Sequence, residues 1–345
     1  MKTTHNLLVI VAMLLMTQAC ATNSSALFRH ASIGEHKPWT HDRFDARDDR
    51  FMFAVFSDLY GGERERVFEI AMSQLSLLRP ELILSVGDLI DGGTEDREQL
   101  EGEWDDFDAK VSGMRAPVFY IGGNHDLTNL TMRELWEQRY GARFYHFVYK
   151  DVLFLMLDSE DFEREKMQEI YEARREALQY LARDQADKWQ SSRYFNMPER
   201  RTGAVGRRQA AYFVSIIEEH PDVRWTFLLI HKPVWRNENA TTFQAIERAL
   251  TDRPYTVING HFHSYSLTAR HGRDYIHLGT TSGSQDSRDA MAFDHVTLVT
   301  MTDEGPSIAN LRLDGILDKT GHVPLDGDEI CFQASACAQP EQAGY

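Results

Sequence analysis

The sequence predicts an α/β domain whose strands end in polar side chains. Five apolar, strand-like runs lie between Met52 and Ile258, and amphipathic helical segments separate several of them. Each run is followed by Asp, Asn or His, residue types that bind divalent metals. Ligand sites of open α/β sheets form at the carboxyl ends of strands. We therefore expect a metal site at these strand ends.

The pattern is clearest after the run Leu82-Ile83-Leu84. It continues as Val86-Gly87-Asp88-Leu89-Ile90-Asp91, in which Gly87 permits a sharp turn and leaves Asp88 at the strand end. Any single motif of this kind predicts only a turn, a helix cap or a buried histidine. Five in one chain favour a metal site. The other four runs end at Asp58, at Gly123-Asn124-His125-Asp126, at His231 and at Gly260-His261-Phe262-His263.

Length and charge narrow the class of protein. A chain of 345 residues can form one large α/β domain. It carries 37 Lys and Arg against 53 Asp and Glu, a net charge of -16. Proteins that bind nucleic acid need a basic face, so this balance argues against a nuclease and against nucleic acid as a partner.

The first 25 residues have the features of an export signal. Lys2 precedes ten apolar residues, Leu7 to Met16, a run too short to span a bilayer but suited to a signal peptide. Thr17-Gln18-Ala19-Cys20 is similar to a bacterial lipoprotein signal lipidated at Cys20, although Thr17 and Gln18 depart from the usual pattern. Ala19-Cys20-Ala21 also fits ordinary cleavage. Either alternative predicts export, to the periplasm or, through the lipid, to the outer membrane, and the anchor is the one membrane contact that we expect.

The rest of the chain divides into a linker, one domain and a tail. Residues 26–50 are charged and irregular, the domain is expected over 51–317, and 318–345 form a weakly patterned tail. Within the domain, 160–208 predict a charged helical insertion that could cover part of the site. Its arginines at 200–201, and those at 207–208, fit either phosphate contacts or a solvated loop. Cys331 and Cys337 fit either a disulfide or two free thiols, and export favours the disulfide.

Periodicity places the main elements between these boundaries. Strand, helix and strand over 51–85 predict a βαβ unit with parallel strands. Two β-rich runs separated by Lys150-Asp151 predict a hairpin. Helices are expected over 63–78, 97–114, 132–140 and 209–219, and later strands over 275–278, 295–301 and 308–313.

Together the five motifs resemble those of the calcineurin-like metallophosphoesterases, in order and rough spacing, from about residue 51 to about residue 285. The resemblance implies a two-sheet β-sandwich flanked by helices (αββα), with two metals at the strand ends. It implies hydrolysis of a phosphomonoester or phosphodiester, on a small molecule or a lipid, by metal-activated hydroxide. The two divalent ions could be manganese, iron, zinc or magnesium.

The resemblance also assigns roles to single residues. His125 would protonate the leaving oxygen, with Asp91 orienting its ring, and Asp126 would support the loop. A carboxylate beside a histidine favours the protonated ring. The expected metal ligands are Asp88 as the bridge, Asn124, His231 and His261 at one metal, and Asp58 and His263 at the other.

One position departs from the family pattern. The first motif of the family is Asp-x-His, but this chain has Tyr60 in place of that histidine. A Tyr60 phenolate is a candidate ligand, although the high reference pKa of tyrosine argues against it. Otherwise the first site is weakened, filled by water or completed by another group such as Glu63. The departure keeps a second function open, a non-catalytic envelope protein that holds metal and binds a phosphorylated ligand.

Overall fold

The structure is a computed structural model that describes residues 27–30, 34–46 and 51–337. The predicted signal peptide and Cys20 lie outside these residues. The strands of the described part are β1 (Phe28–His30), β2 (Phe51–Phe56), β3 (Leu82–Ser85), β4 (Val118–Phe119), β5 (Tyr145–Tyr149), β6 (Val152–Met156), β7 (Trp225–Leu229), β8 (Tyr255–Asn259), β9 (Ser266–Arg270), β10 (Arg273–His277), β11 (His295–Thr302) and β12 (Gly305–Arg312).

Most of the helices lie between β2 and β8, and five of them follow one another between β6 and β7. In the described residues they are α1 (Val67–Leu78), α2 (Arg97–Ser112), α3 (Asn124–Leu127), α4 (Leu130–Tyr140), α5 (Arg164–Leu181), α6 (Ala186–Ser191), α7 (Arg193–Asn196), α8 (Glu199–Thr202), α9 (Arg207–Glu219), α10 (Thr241–Ala249) and α11 (Ala334–Cys337). In this part of the chain, no helix combines the length and the apolar character needed to cross a membrane.

The strands form two mixed sheets. One has the order β12-β11-β2-β3-β4, with β2, β3 and β4 parallel. The other has the order β1-β5-β6-β7-β8-β10-β9, with β6, β7, β8 and β10 parallel. The predicted βαβ unit and the predicted hairpin, β5 and β6, are both confirmed. Lys150 and Asp151 turn the hairpin with φ of 45° and 59°, the left-handed geometry of tight two-residue turns.

Three apolar layers hold the sheets and helices together, which confirms the predicted αββα sandwich. Aromatic and aliphatic side chains of both sheets, among them Phe53, Phe154 and Phe227, pack face to face between the sheets. A second cluster lies between the smaller sheet and α1, α2 and α4, around Trp104. A third lies between the larger sheet and α9 and α10, around Phe213. Burial of such side chains is the main stabilising contribution to the fold.

The segments predicted as linker and tail both contribute to the packed domain. Phe28–His30 pair with β5 at the edge of the larger sheet, and Trp39 is buried in the cluster between the sheets. At the other end, Val323 and Phe332 are buried in the cluster around Trp104. The predicted disulfide between Cys331 and Cys337 is present. The packed unit therefore extends beyond 51–317 in both directions.

Candidate metal centre

Strained backbone turns place the acidic and imidazole side chains at the strand ends. Asp58 follows β2, Asp88 follows β3, and His261 and His263 follow β8; their φ angles are 54°, 58°, 87° and 56°. Non-glycine residues rarely adopt such values, and the strain persists only where the surroundings hold it. Here the turns hold each other, because the Leu59 N–H donates to the Asp88 carbonyl at 3.0 Å.

Two groups of potential metal ligands share one carboxylate. Asp88, His231 and His261 form one group, and Asp58, Asp88 and His263 form the other; within each group the ligand atoms lie within 4.8 Å of one another. His231 Nε2 is 3.1 Å from Asp88 Oδ2, and His263 Nε2 is 3.3 Å from Asp58 Oδ1. Asp88 is therefore the carboxylate common to both groups.

Each of these histidine rings is fixed by a main-chain carbonyl. A ring nitrogen that donates to a carbonyl leaves the other nitrogen with its lone pair directed at the site, the arrangement usual for metal-binding histidines. The pattern predicts His231 and His263 as ligands through Nε2, and His261 through Nδ1. The bonds run from His231 Nδ1 to Val86 O (2.8 Å), from His263 Nδ1 to Ser284 O (2.7 Å) and from His261 Nε2 to Arg200 O (2.7 Å).

Two further observations show that the residues fit a cation. Asn124 Oδ1 is buried and has no hydrogen-bond partner among the described residues, which costs free energy unless a ligand satisfies it, and the contact of His231 Nε2 on this side is the Asp88 carboxylate at 3.1 Å. Burial opposes the charge on Asp88, but His231 and His125 hold the pKa of its carboxyl well below the usual range. An oxygen and nitrogen donor set around an ionised carboxylate is suited to divalent first-row metals and magnesium.

Asp126 holds the two loops that carry these ligands. Its carboxylate accepts the N–H groups of Asp88 (2.8 Å), Leu89 (2.9 Å), Ile90 (3.2 Å) and Gly123 (2.7 Å). One buried side chain thereby joins the turn after β3 to the turn after β4. The predicted role of Asp126 as a support for the loop is confirmed.

We expect Asp126→Ala to lower the free energy of unfolding by about 3–5 kcal/mol, because it leaves four buried N–H groups without an acceptor. Asp126→Asn should cost less, since one amide oxygen still accepts two of the bonds. Urea denaturation of the three proteins measures the difference. Equal losses in both variants would contradict this account.

His125 lies beside the shared carboxylate and is not in either ligand group. Its main-chain N–H donates to Asp88 Oδ1 at 2.8 Å, and its Nδ1 is 2.6 Å from the main-chain carbonyl of Asp91. The Asp91 carboxylate is 3.9 Å from Nδ1 and 64% exposed. Burial lowers the pKa of His125, and nearby Arg174 lowers it further, while Asp88 and Asp91 act in the opposite direction. The ring is therefore oriented by the main chain of Asp91, whereas the sequence predicted its side chain.

Comparison with known proteins agrees with this geometry. The model of the calcineurin-like phosphoesterase family matches residues 51–265. The chain belongs to that family. No curated protein matches it in sequence.

Several solved structures are similar to this chain. A dimetal phosphatase from Danio rerio is 14% identical, with a TM-score of 0.51 over 77% of this chain and 99% of that one. GAP50, described as the anchor in the inner membrane complex of Plasmodium, is 14% identical. Its match covers 80% of this chain and 87% of that one, with a TM-score of 0.49. A purple acid phosphatase from yellow lupin is 13% identical. Its match covers 79% of this chain and 53% of that one, with a TM-score of 0.46. At these identities the likeness concerns the fold.

Tyr60, the departure from the family motif, packs against the hydrophobic core and is not among the residues that line the cavity over this calcineurin-like site. Its ring packs against the cluster around Trp104, and burial raises the pKa of the phenol, with Lys110 acting in the opposite direction and Glu63 and Asp106 in the same one. Glu63 is also engaged elsewhere, in an ion pair with Lys110 at 3.2 Å. Gly61 lies beside the site instead: a Cβ there would be 3.2 Å from His263 Cε1.

A cavity of about 550 Å³ opens over the site, and the helical insertion forms one wall of it. The prediction that the insertion covers part of the site is thereby confirmed. Of the four arginines singled out from the sequence, Arg200 lines the cavity, and the other three are exposed. The lining includes polar residues of the strand-end loops, namely Asp88, Asp91, Asn124, His125, His261 and His263. The remaining wall includes Phe262 and six residues of the insertion, namely Arg174, Leu178, Leu181, Trp189, Tyr194 and Arg200.

Sequence reasoning missed Arg174. The signal that could have found it is its position in α5, four residues after Ile170 and four before Leu178 on an otherwise apolar stripe. A cation at such a position is unusual, since charged side chains are rarely buried without a partner. It is 7% exposed.

Proposed function

We propose that the chain is an exported, metal-dependent phosphoesterase that hydrolyses a phosphomonoester or phosphodiester. The observation that carries the proposal is the set of three histidine rings around two buried carboxylates. Each ring has one nitrogen bonded to a main-chain carbonyl, and its other nitrogen belongs to a potential ligand group. When bound, two divalent ions would polarise phosphoryl oxygens and lower the pKa of water. Asp88 would contact both ions, with Asn124, His231 and His261 at one and Asp58 and His263 at the other.

His125 would supply the proton for the leaving oxygen. Its Nδ1–H remains bonded to the Asp91 carbonyl, so the proton to be transferred is carried on Nε2 of the charged ring. The Asp88 carboxylate favours that charged form, and burial makes it a stronger acid. The same ring lines the cavity, where a substrate oxygen can reach it.

Export is the second part of the proposal. It is supported by the apolar run Leu7 to Met16 and by a disulfide, a bond that persists in oxidising compartments. Lipidation at Cys20 would attach the protein to a membrane from the periplasmic side. The substrate would then be a phosphorylated small molecule or lipid of that compartment.

Tyr60 favours a second candidate, an envelope protein that holds metal and binds a phosphorylated ligand without turnover. Tyr60 packs against the cluster around Trp104, and the acidic and imidazole ligand group on that side consists of Asp58, Asp88 and His263. The intact pair of His125 and the shared carboxylate favours the enzyme.

The test is hydrolysis of aryl phosphate monoesters and diesters by the purified protein after chelation. Manganese, zinc, iron and magnesium are added back separately, and metal uptake and the melting temperature are measured in parallel, since ligands of the native state raise it. We expect at least one metal to restore turnover. Metal uptake with a raised melting temperature but no turnover with any metal would reject the enzyme in favour of the binding protein.

A further inference from the structure

We propose that Arg174 binds the phosphoryl group of the substrate and that the insertion selects phosphoesters with an apolar leaving group. The inference rests on the proposed function and names the class of substrate. It concerns a wall of the cavity that the metal ligands and His125 do not form.

Arg174 is a buried cation without a protein partner. The residue is 7% exposed and lines the cavity, and among the residues that the structure describes no carboxylate forms an ion pair with it and no acceptor bonds its guanidinium. Other buried cations near the site are paired; Lys232, for example, contacts Glu160 at 2.8 Å. Its guanidinium lines the cavity, so an anion that enters from solution could supply the partner that the chain does not.

The position of Arg174 identifies that anion. The guanidinium packs directly against Gly93, where any side chain would overlap it, and lines the same cavity as His125 and Asp88. A group that enters this cavity meets the arginine and the candidate metal ligands together. The planar fork of arginine matches the oxygens of a phosphoryl group, so phosphate is the anion that fits.

The rest of the wall is apolar. Leu178, Leu181 and Phe262 are 36%, 46% and 37% exposed, and Trp189 lines the cavity beside them. Arg200 does not make this wall polar, because its guanidinium stacks over the rings of Trp189 and Phe195, at 5.7 and 4.5 Å from their centroids. Clustered exposed apolar side chains mark a binding surface. A sugar or glycerol phosphate would leave them in water, whereas an aryl or long alkyl group would cover them.

Arg174→Gln tests the first half of the inference, with Arg175→Gln as the matched control. Arg175 is the next residue of α5 and is exposed. We expect Arg174→Gln to raise KM for every phosphoester about 10- to 100-fold, the loss of a charge-assisted hydrogen bond, with a smaller change in kcat. Its melting temperature should not fall, since the guanidinium forms no ion pair or hydrogen bond with the described residues that the variant would break. A lower melting temperature with unchanged KM would assign Arg174 a structural role and overturn the inference.

Direct binding separates this inference from the proposed function. Inorganic phosphate is titrated calorimetrically into metal-loaded wild type, Arg174→Gln and Arg174→Lys. We expect glutamine to weaken binding at least about tenfold and lysine to recover part of it. That result without turnover by the wild type would reject the phosphoesterase and keep the phosphate site. Normal turnover with unchanged phosphate affinity in Arg174→Gln would reject the phosphate site alone.

The second half is tested by substrate series. Aryl, long-chain alkyl and glycerol phosphates are compared in wild type and in Leu178→Ser/Leu181→Ser. We expect wild type to prefer an aryl or alkyl ester, and the double variant to raise KM for the preferred ester but not for glycerol phosphate. Preference for aryl or for alkyl esters distinguishes an aromatic from a lipid-like leaving group, and both support the inference. Equal or better use of glycerol phosphate by wild type would overturn it.

Discussion

Asp88→Asn is expected to abolish metal-dependent turnover while leaving the protein folded. Asp88 belongs to both ligand groups, so a neutral amide with a single oxygen cannot bridge two cations as a carboxylate does. The backbone should tolerate the change, because φ at Asp88 is 58° and asparagine is among the few residues that adopt this region readily. The amide oxygen can still accept the His125 N–H.

The measurements are metal content, turnover and the melting temperature with and without metal. We expect the variant to bind at most one ion and to lose most of the stabilisation that metal gives the wild type. Asp91→Asn is the matched control: it makes the same charge change three residues later, on an exposed side chain. Two bound ions with full activity in Asp88→Asn would exclude Asp88 as the bridge.

The strand-end pattern predicted much of this site because it depends on local sequence. Each apolar run carries its own ligand residue at its end, so no knowledge of tertiary structure is needed to find Asp58, Asp88 or His231. What the pattern does not contain is the assignment of strands to sheets. β2, β3 and β4 lie in one sheet and β7 and β8 in the other, yet their ends meet at one site. Only the resemblance to the family predicted two sheets.

The boundaries differed where order depends on distant contacts. Phe28–His30 form only three residues of strand, and their order comes from pairing with β5, more than a hundred residues later. Phe332 is likewise held by a distant contact: its carbonyl accepts the Asp294 N–H at 2.8 Å, and its side chain lies in the core cluster around Trp104. Neither segment has enough periodicity of its own to predict an element.

Main-chain groups account for the remaining difference at the site. Sequence reasoning considers side chains, so it paired His125 with the Asp91 carboxylate; in the structure the carbonyl of the same residue makes the contact. The same limitation applies to His261, which bonds the main chain of Arg200 in the insertion. The insertion therefore contacts a candidate metal ligand as well as forming the cavity wall.

His125→Gln is expected to lower kcat by about 100- to 10,000-fold, the usual contribution of a positioned general acid. Metal content should stay at the wild-type level, because His125 is in neither ligand group. An acid matters most when the leaving group is poor, so the loss should be larger for an alkyl ester than for an aryl ester. Asp91→Asn keeps the carbonyl that orients the ring and should therefore change kcat less than about threefold.

Comparing these two variants decides which part of Asp91 acts on His125. If Asp91→Asn lowered kcat as much as His125→Gln, the carboxylate at 3.9 Å would be the orienting group, as the sequence predicted.

If His125→Gln lost equal activity on aryl and alkyl esters, His125 would not be the proton donor. It would then act on the transition state in another way, for example by binding a phosphoryl oxygen. Kinetics on both esters with the same enzyme preparations thus assign the proton donor and the group that orients it.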